Sequence, residues 1–116
     1  MGGQKRYDLE DRTLLFAKEV AGFLRGIPKT IENGDYCRQV LRSSSSVGAN
    51  YIEANESLGK KDFLMRIRIC KREAKESRYW LELLSHAGGD QNVRDNLIRE
   101  SVELMKIFGA MLQQSL

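Results

Sequence analysis

Apolar residues along this chain recur every three or four positions, and no stretch alternates with period two, so the pattern predicts helices and no strands. Pro28 after Gly26-Ile27, then Asn33-Gly34, Gly59 and Gly88-Gly89, break the pattern into four segments. These predict helices over about residues 9–25, 35–57, 61–85 and 92–113. Asp8 or Asp11 is placed to cap the first helix and Asp35 lies near the positive end of the second. The expected core positions are Phe16, Val20, Phe23, Leu24 and Ile27 on the first helix. They are Tyr36, Val40, Ser44, Val47, Tyr51 and Ala54 on the second, and Leu97, Leu104, Met105, Phe108, Met111 and Leu112 on the fourth.

The third segment has the most regular seam: Phe63, Ile67, Cys70, Ala74, Ser77, Leu81 and Leu84, in alternating steps of four and three. That spacing keeps one narrow stripe against a neighbouring helix that lies nearly parallel or antiparallel to it. Short connections force successive helices to be antiparallel, which predicts an all-α, up-down-up-down four-helix bundle. The small residues Ser43 to Ser46, Gly48 and Ala49 admit a close neighbour on the second helix. Close packing accounts for Gly48, which costs roughly 1 kcal/mol relative to Ala inside a helix; a bend is the alternative.

A length of 116 residues makes this a single domain over 1–116, and 41% hydrophobic with 30% charged residues places it among globular chains rather than disordered ones. The opening MGGQKRYDLEDR has no apolar run, so no secretory signal is expected, and Arg6 stands where a myristoylation pattern needs Ser or Thr. No segment approaches the roughly 20 apolar residues of a membrane span. Cys37 and Cys70 form no CxxC and read as thiols in a reducing compartment. The expected location is cytoplasmic, with no membrane partner.

The residues for catalysis are sparse. The single histidine, His86, sits at the end of the third helix and reads as a solvated C-terminal cap. A di-iron bundle needs Glu-x-x-His on two helices, and the residue three before His86 is Leu83. There is no phosphate-binding glycine loop and no zinc spacing, so no enzyme activity, metal or cofactor is expected.

Charge is distributed more tellingly. Residues 60–84 carry eight cations against four carboxylates, an excess of four, whereas the rest of the chain carries eleven against twelve. At about 100° per residue from Phe63, the cations Lys61, Arg68, Lys71, Arg72, Lys75 and Arg78 fall between about 60° and 180°. Asp62, Glu73 and Glu76 fall on the other flank, at about 220° to 280°, leaving Glu82 as the one carboxylate inside the basic arc. A mixed, solvated face is the commoner meaning of helix charges; segregation of this kind points to a polyanion-binding face. Tyr79 alone interleaves with the cations, so a base-stacking platform is not expected. The acidic flank also carries Met65, Ile69, Trp80 and Leu83, a second apolar strip that means either a wide core or contact with another subunit. Glu73 and Glu76 are placed to pair with Arg38 or Arg42.

The run Leu41-Arg-Ser-Ser-Ser-Ser-Val-Gly-Ala-Asn-Tyr-Ile-Glu-Ala, then Lys61-Asp-Phe, then Lys71-Arg-Glu-Ala-Lys-Glu-Ser-Arg-Tyr-Trp-Leu-Glu-Leu-Leu, resembles the bacterial four helix bundle protein family. That family includes proteins encoded in intervening sequences of 23S ribosomal RNA genes. The resemblance covers about residues 7–113, with Cys70-Lys-Arg-Glu standing where many members have Ala-Leu-Lys-Glu. It implies a four-helix bundle, a ring-like homo-oligomer with a pentamer as the expected form, and no catalytic residues. It also implies distant similarity to the accessory protein of diversity-generating retroelements, whose basic surface engages a reverse transcriptase and nucleic acid. A ring places Met65, Ile69, Trp80 and Leu83 against a neighbouring subunit and repeats the basic face several-fold. The leading expectation is an oligomeric RNA- or DNA-binding module in which Lys61, Arg68, Lys71, Arg72, Lys75 and Arg78 contact phosphates. The alternative is a protein-interaction scaffold or accessory subunit that binds no nucleic acid.

Overall fold

In a computed structural model the chain folds into four helices of nearly equal length; residues 2–115 are described, apart from the side chains of residues 2–8 and Ser85. The helices are α1 (Gly2–Leu24), α2 (Ile31–Asn55), α3 (Lys60–Leu83) and α4 (Gln91–Gln114), with a 3-10 turn (Leu84–His86) after α3. At 23, 25, 24 and 24 residues, each spans roughly 36 Å, so all four share one core along its length. The helices run up-down-up-down. α2 packs along α1 and α3, α3 packs along α4, and α1 meets α4 only sparsely.

Every seam position expected on α3 except Phe63 is fully buried, and Phe63 is half-buried against the same core. Phe16, Val20, Val40, Val47, Leu104 and Phe108 fill the centre. Leu24, Tyr36, Met105, Met111 and Leu112 are half-buried at its margins. Gly48 is explained by close packing: a Cβ there would lie 3.0 Å from Thr13 Oγ1 and 3.3 Å from Thr13 Cβ of α1.

The ends of the helices differ from the sequence-based expectation for local reasons. α2 begins at Ile31 rather than near Asp35, because Thr30 caps it: its Oγ1 accepts the Asn33 N–H at 3.1 Å. Asn33-Gly34 therefore belongs to the first turn of α2, and Asn33 Nδ2 donates back to the Pro28 carbonyl at 3.0 Å. α4 is capped by Asp90, whose Oδ1 accepts from the Asn92 and Val93 N–H groups at 2.9 and 3.2 Å. α1 is helical from Gly2, so Asp11 lies inside it and is not its cap. Asp8, the other expected cap, lies inside the same helix and does not cap it either. Leu9, where the expected helix began, is only where the apolar register starts; periodicity marks the turns that carry core residues and not the helix end.

Gly88 and Gly89 have φ of 102° and 79°, the left-handed region that glycine enters without cost. A Cβ on Gly89 would also stand 2.8 Å from Ile27 Cδ1, so the α3–α4 connection lies directly on the end of α1.

Candidate nucleic-acid interface on α3

The position of α3 between α2 and α4 gives its two flanks different surroundings. On the α2 side, Arg42 reaches across to both carboxylates of the acidic flank. Its Nη1 donates to Glu73 Oε2 at 2.7 Å and its Nη2 to Glu76 Oε1 at 2.9 Å. Glu73 is almost wholly buried, with 4% of its side chain exposed, and Arg42 is 51% exposed. The hydrogen bond to Glu73 holds the Arg42 guanidinium above its ordinary pKa. Arg38, the other candidate partner, pairs instead with Asp35 on its own helix.

Further bonds tie the same seam. Ser43 and Ser77 hydroxyls lie 2.8 Å apart in the core, the Cys70 thiol donates to the Val47 carbonyl at 3.4 Å, and Arg66 Nη1 donates to Asn50 Oδ1 at 2.9 Å. Burial pushes the Cys70 thiol up to about 12 and raises that of Cys37 as well, so both are neutral, free thiols at ordinary pH.

The opposite flank is left open. Lys61, Arg68, Lys71, Arg72 and Lys75 are exposed. Among the described residues, Lys61, Arg68, Lys71 and Lys75 have no carboxylate oxygen within 4.0 Å, and Arg72 Nε is only within 3.9 Å of Glu73. Arg78 is distinct: it is half-buried, and its Nε lies 3.2 Å from Glu82 Oε1, an ion pair without hydrogen-bond alignment. The one carboxylate within the basic arc thus neutralises the cation at its end and leaves the centre uncompensated. Lys71 leans toward α4, with its Nζ 3.7 Å from where a Cβ on Gly109 would be.

The second apolar strip is divided. Trp80 packs against the core and stacks on Tyr36 with centroids 6.2 Å apart, and Ile69 is half-buried. Met65 and Leu83 stand 48% and 39% exposed. The structure therefore places Trp80 at the margin of this chain's own core, with Ile69 half-buried and Met65 and Leu83 exposed on the surface. His86 is exposed in the 3-10 turn. Among the described residues no group of three or more His, Cys, Asp or Glu side chains gathers, and no helix is long and apolar enough to cross a membrane.

Sequence reasoning placed Ser44 and Ser77 in the core but missed its other polar members. Thr13, Ser43, Ser101 and Glu73 are all buried, and a search for apolar periodicity passes over them. Their signal is register: each lies within the arc of its helix's buried stripe or at its edge.

A family model for the 23S rRNA-intervening sequence protein matches residues 5–110. Among solved structures, a protein of unknown function from the S23 ribosomal protein family of Bacteroides thetaiotaomicron is 27% identical. The match covers 89% of this chain and 96% of that one, with a TM-score of 0.78. No curated protein matches the chain. With the family model spanning nearly its whole length and the four helices in place, the chain belongs to the 23S rRNA-intervening sequence protein family.

Proposed function

We propose that this protein is a non-catalytic, cytoplasmic module that binds nucleic acid, RNA or DNA, through the α3 face and acts as a homo-oligomer. One observation carries the reading. The two carboxylates that would neutralise α3 are turned away and bonded to Arg42, so Arg68, Lys71, Arg72 and Lys75 remain exposed and almost unpaired. Such cations bind phosphates by displacing condensed counterions, which gives affinity with little sequence discrimination. The exposed Met65 and Leu83 border this face. Contact with a neighbouring subunit there would repeat the cationic face around an assembly and multiply its effective affinity.

Light scattering on the protein alone and with a short mixed-sequence RNA, at low and high salt, tests both parts. The expected result is a particle of several chains that takes up RNA at low salt and releases it at high salt. An R72E/K75E protein is expected to lose affinity and to show a salt slope smaller by about two. A monomer indifferent to RNA, or an R72E/K75E protein that binds as the wild type does, overturns the reading.

A further inference from the structure

The outward positions of α3 form one line: Lys61, Arg68, Arg72, Lys75 and Tyr79 lie within about 60° of arc, all exposed. Tyr79 is 58% exposed and sits one turn beyond Lys75, roughly 6 Å further along the helix axis. Its ring is not loose. It makes an edge contact with Trp80 at a centroid distance of 5.1 Å, with the planes at 73°. Trp80 in turn stacks on Tyr36 of α2 and packs against the core. Two rings in series, Trp80 and then Tyr36, therefore brace Tyr79 from the half-buried side and leave much of it exposed. An aromatic ring held in this way loses little entropy when a flat partner stacks on it.

A solvated face of α3 accounts for the cations but not for an aromatic residue braced in line with them. We infer that Tyr79 stacks one unpaired base whose flanking phosphates lie on Lys75 and Arg72, so that the α3 face prefers single-stranded to duplex nucleic acid. The inference rests on the nucleic-acid reading above and sharpens it. A single ring is too little to bind a run of bases, but it suffices for one, and a stacked base is unavailable in an intact duplex.

Fluorescence anisotropy of a labelled mixed-sequence RNA, single-stranded and fully paired, with wild type, Y79A, Y79F and R72E/K75E, tests this. The emission of Trp80, the single tryptophan, gives a second readout at the contact. Wild type is expected to prefer the single strand and to change its Trp80 emission on binding it. Y79A is expected to bind the single strand about ten-fold more weakly with an unchanged salt slope, and Y79F to restore binding to within about two-fold. Duplex binding should not change with either variant. If Y79A binds the single strand as wild type does while R72E/K75E has lost it, the stacking inference falls and the nucleic-acid reading stands. If Y79A weakens duplex and single strand alike, or Y79F fails to restore binding, Tyr79 acts through the fold and the inference is overturned. If wild type binds neither RNA, both fall.

Discussion

The two flanks of α3 carry charges of opposite sign and meet opposite fates. On the α2 side, Glu73 and Glu76 are bonded to Arg42, while Ser77, Cys70 and Arg66 each bond to a partner on α2. On the outward side, Arg68, Lys71 and Lys75 are exposed with no carboxylate within 4.0 Å among the described residues, and Arg72 has only a 3.9 Å approach to Glu73. A count of charges on this helix treats them as one population. The structure separates them into carboxylates that hold two helices together and cations that the fold does not use. Substitutions on the two flanks should therefore affect different measurements.

The largest expected effect is on the bonded flank. Arg42→Ala leaves the Glu73 carboxylate buried without its partner, and should destabilise the protein by about 2–3 kcal/mol in urea unfolding. Replacing both members, Arg42→Met with Glu73→Leu, removes the stranded charge and should recover most of that loss. If Arg42→Ala unfolds at the wild-type midpoint, the pair holds nothing together and the contrast between the flanks fails.

Comparable in size, over the range from pH 8 to 11, is the behaviour of Cys70 in alkali. Unfolded, this thiol ionises around its ordinary value of 9.0; folded, it stays protonated up to about 12. Between those values the folded state binds the extra proton, so stability is whole below pH 9 and declines as pH rises through the window. The slope approaches about 1.4 kcal/mol per pH unit. A Cys70→Ala protein should lack this component, and the difference between the two unfolding profiles from pH 8 to 11 isolates it from the titration of lysines. Parallel profiles would show that the thiol is not held neutral by the core.

Ser77→Ala should cost less, about 1 kcal/mol, because the Ser43 hydroxyl it abandons still has the Val40 carbonyl within 3.3 Å. Adding Ser43→Ala should cost little more, since the two hydroxyls act as one unit. Additive losses from the two substitutions, measured by urea unfolding, would show that the hydroxyls act separately.

The sequence made the α3 seam legible because steps of four and three leave no other way to bury Ile67, Cys70, Ala74, Ser77, Leu81 and Leu84 together. It made the segregation of charge legible for the same geometric reason, and offered Arg38 or Arg42 as the partner of Glu73 and Glu76, of which the structure selects Arg42. It did not reveal that Glu73 is buried, since burial of a carboxylate depends on an arginine 31 positions away. The start of α2 was misplaced because Asn33-Gly34 is as good a first turn as it is a breaker, and only the Thr30 cap distinguishes the two. The bracing of Tyr79 through Trp80 to Tyr36 crosses two helices and has no one-dimensional signature.

The smallest effect on stability, and the sharpest test of the comparison, belongs to the open flank. Lys75→Ala removes a side chain that is exposed and has no ion pair among the described residues. Its unfolding midpoint should stay within about 0.5 kcal/mol of wild type, with alanine's helix propensity offsetting the lost stem. The same protein should bind single-stranded RNA more weakly, with a salt slope lower by about one. Arg42→Ala is the mirror image, a large loss of stability and, below its unfolding transition, little change in the salt slope. Measured side by side, the two variants should fall on perpendicular axes of a plot of stability against salt dependence. If Lys75→Ala loses stability while keeping its RNA affinity, the open flank belongs to the fold after all and the division of labour along α3 is wrong.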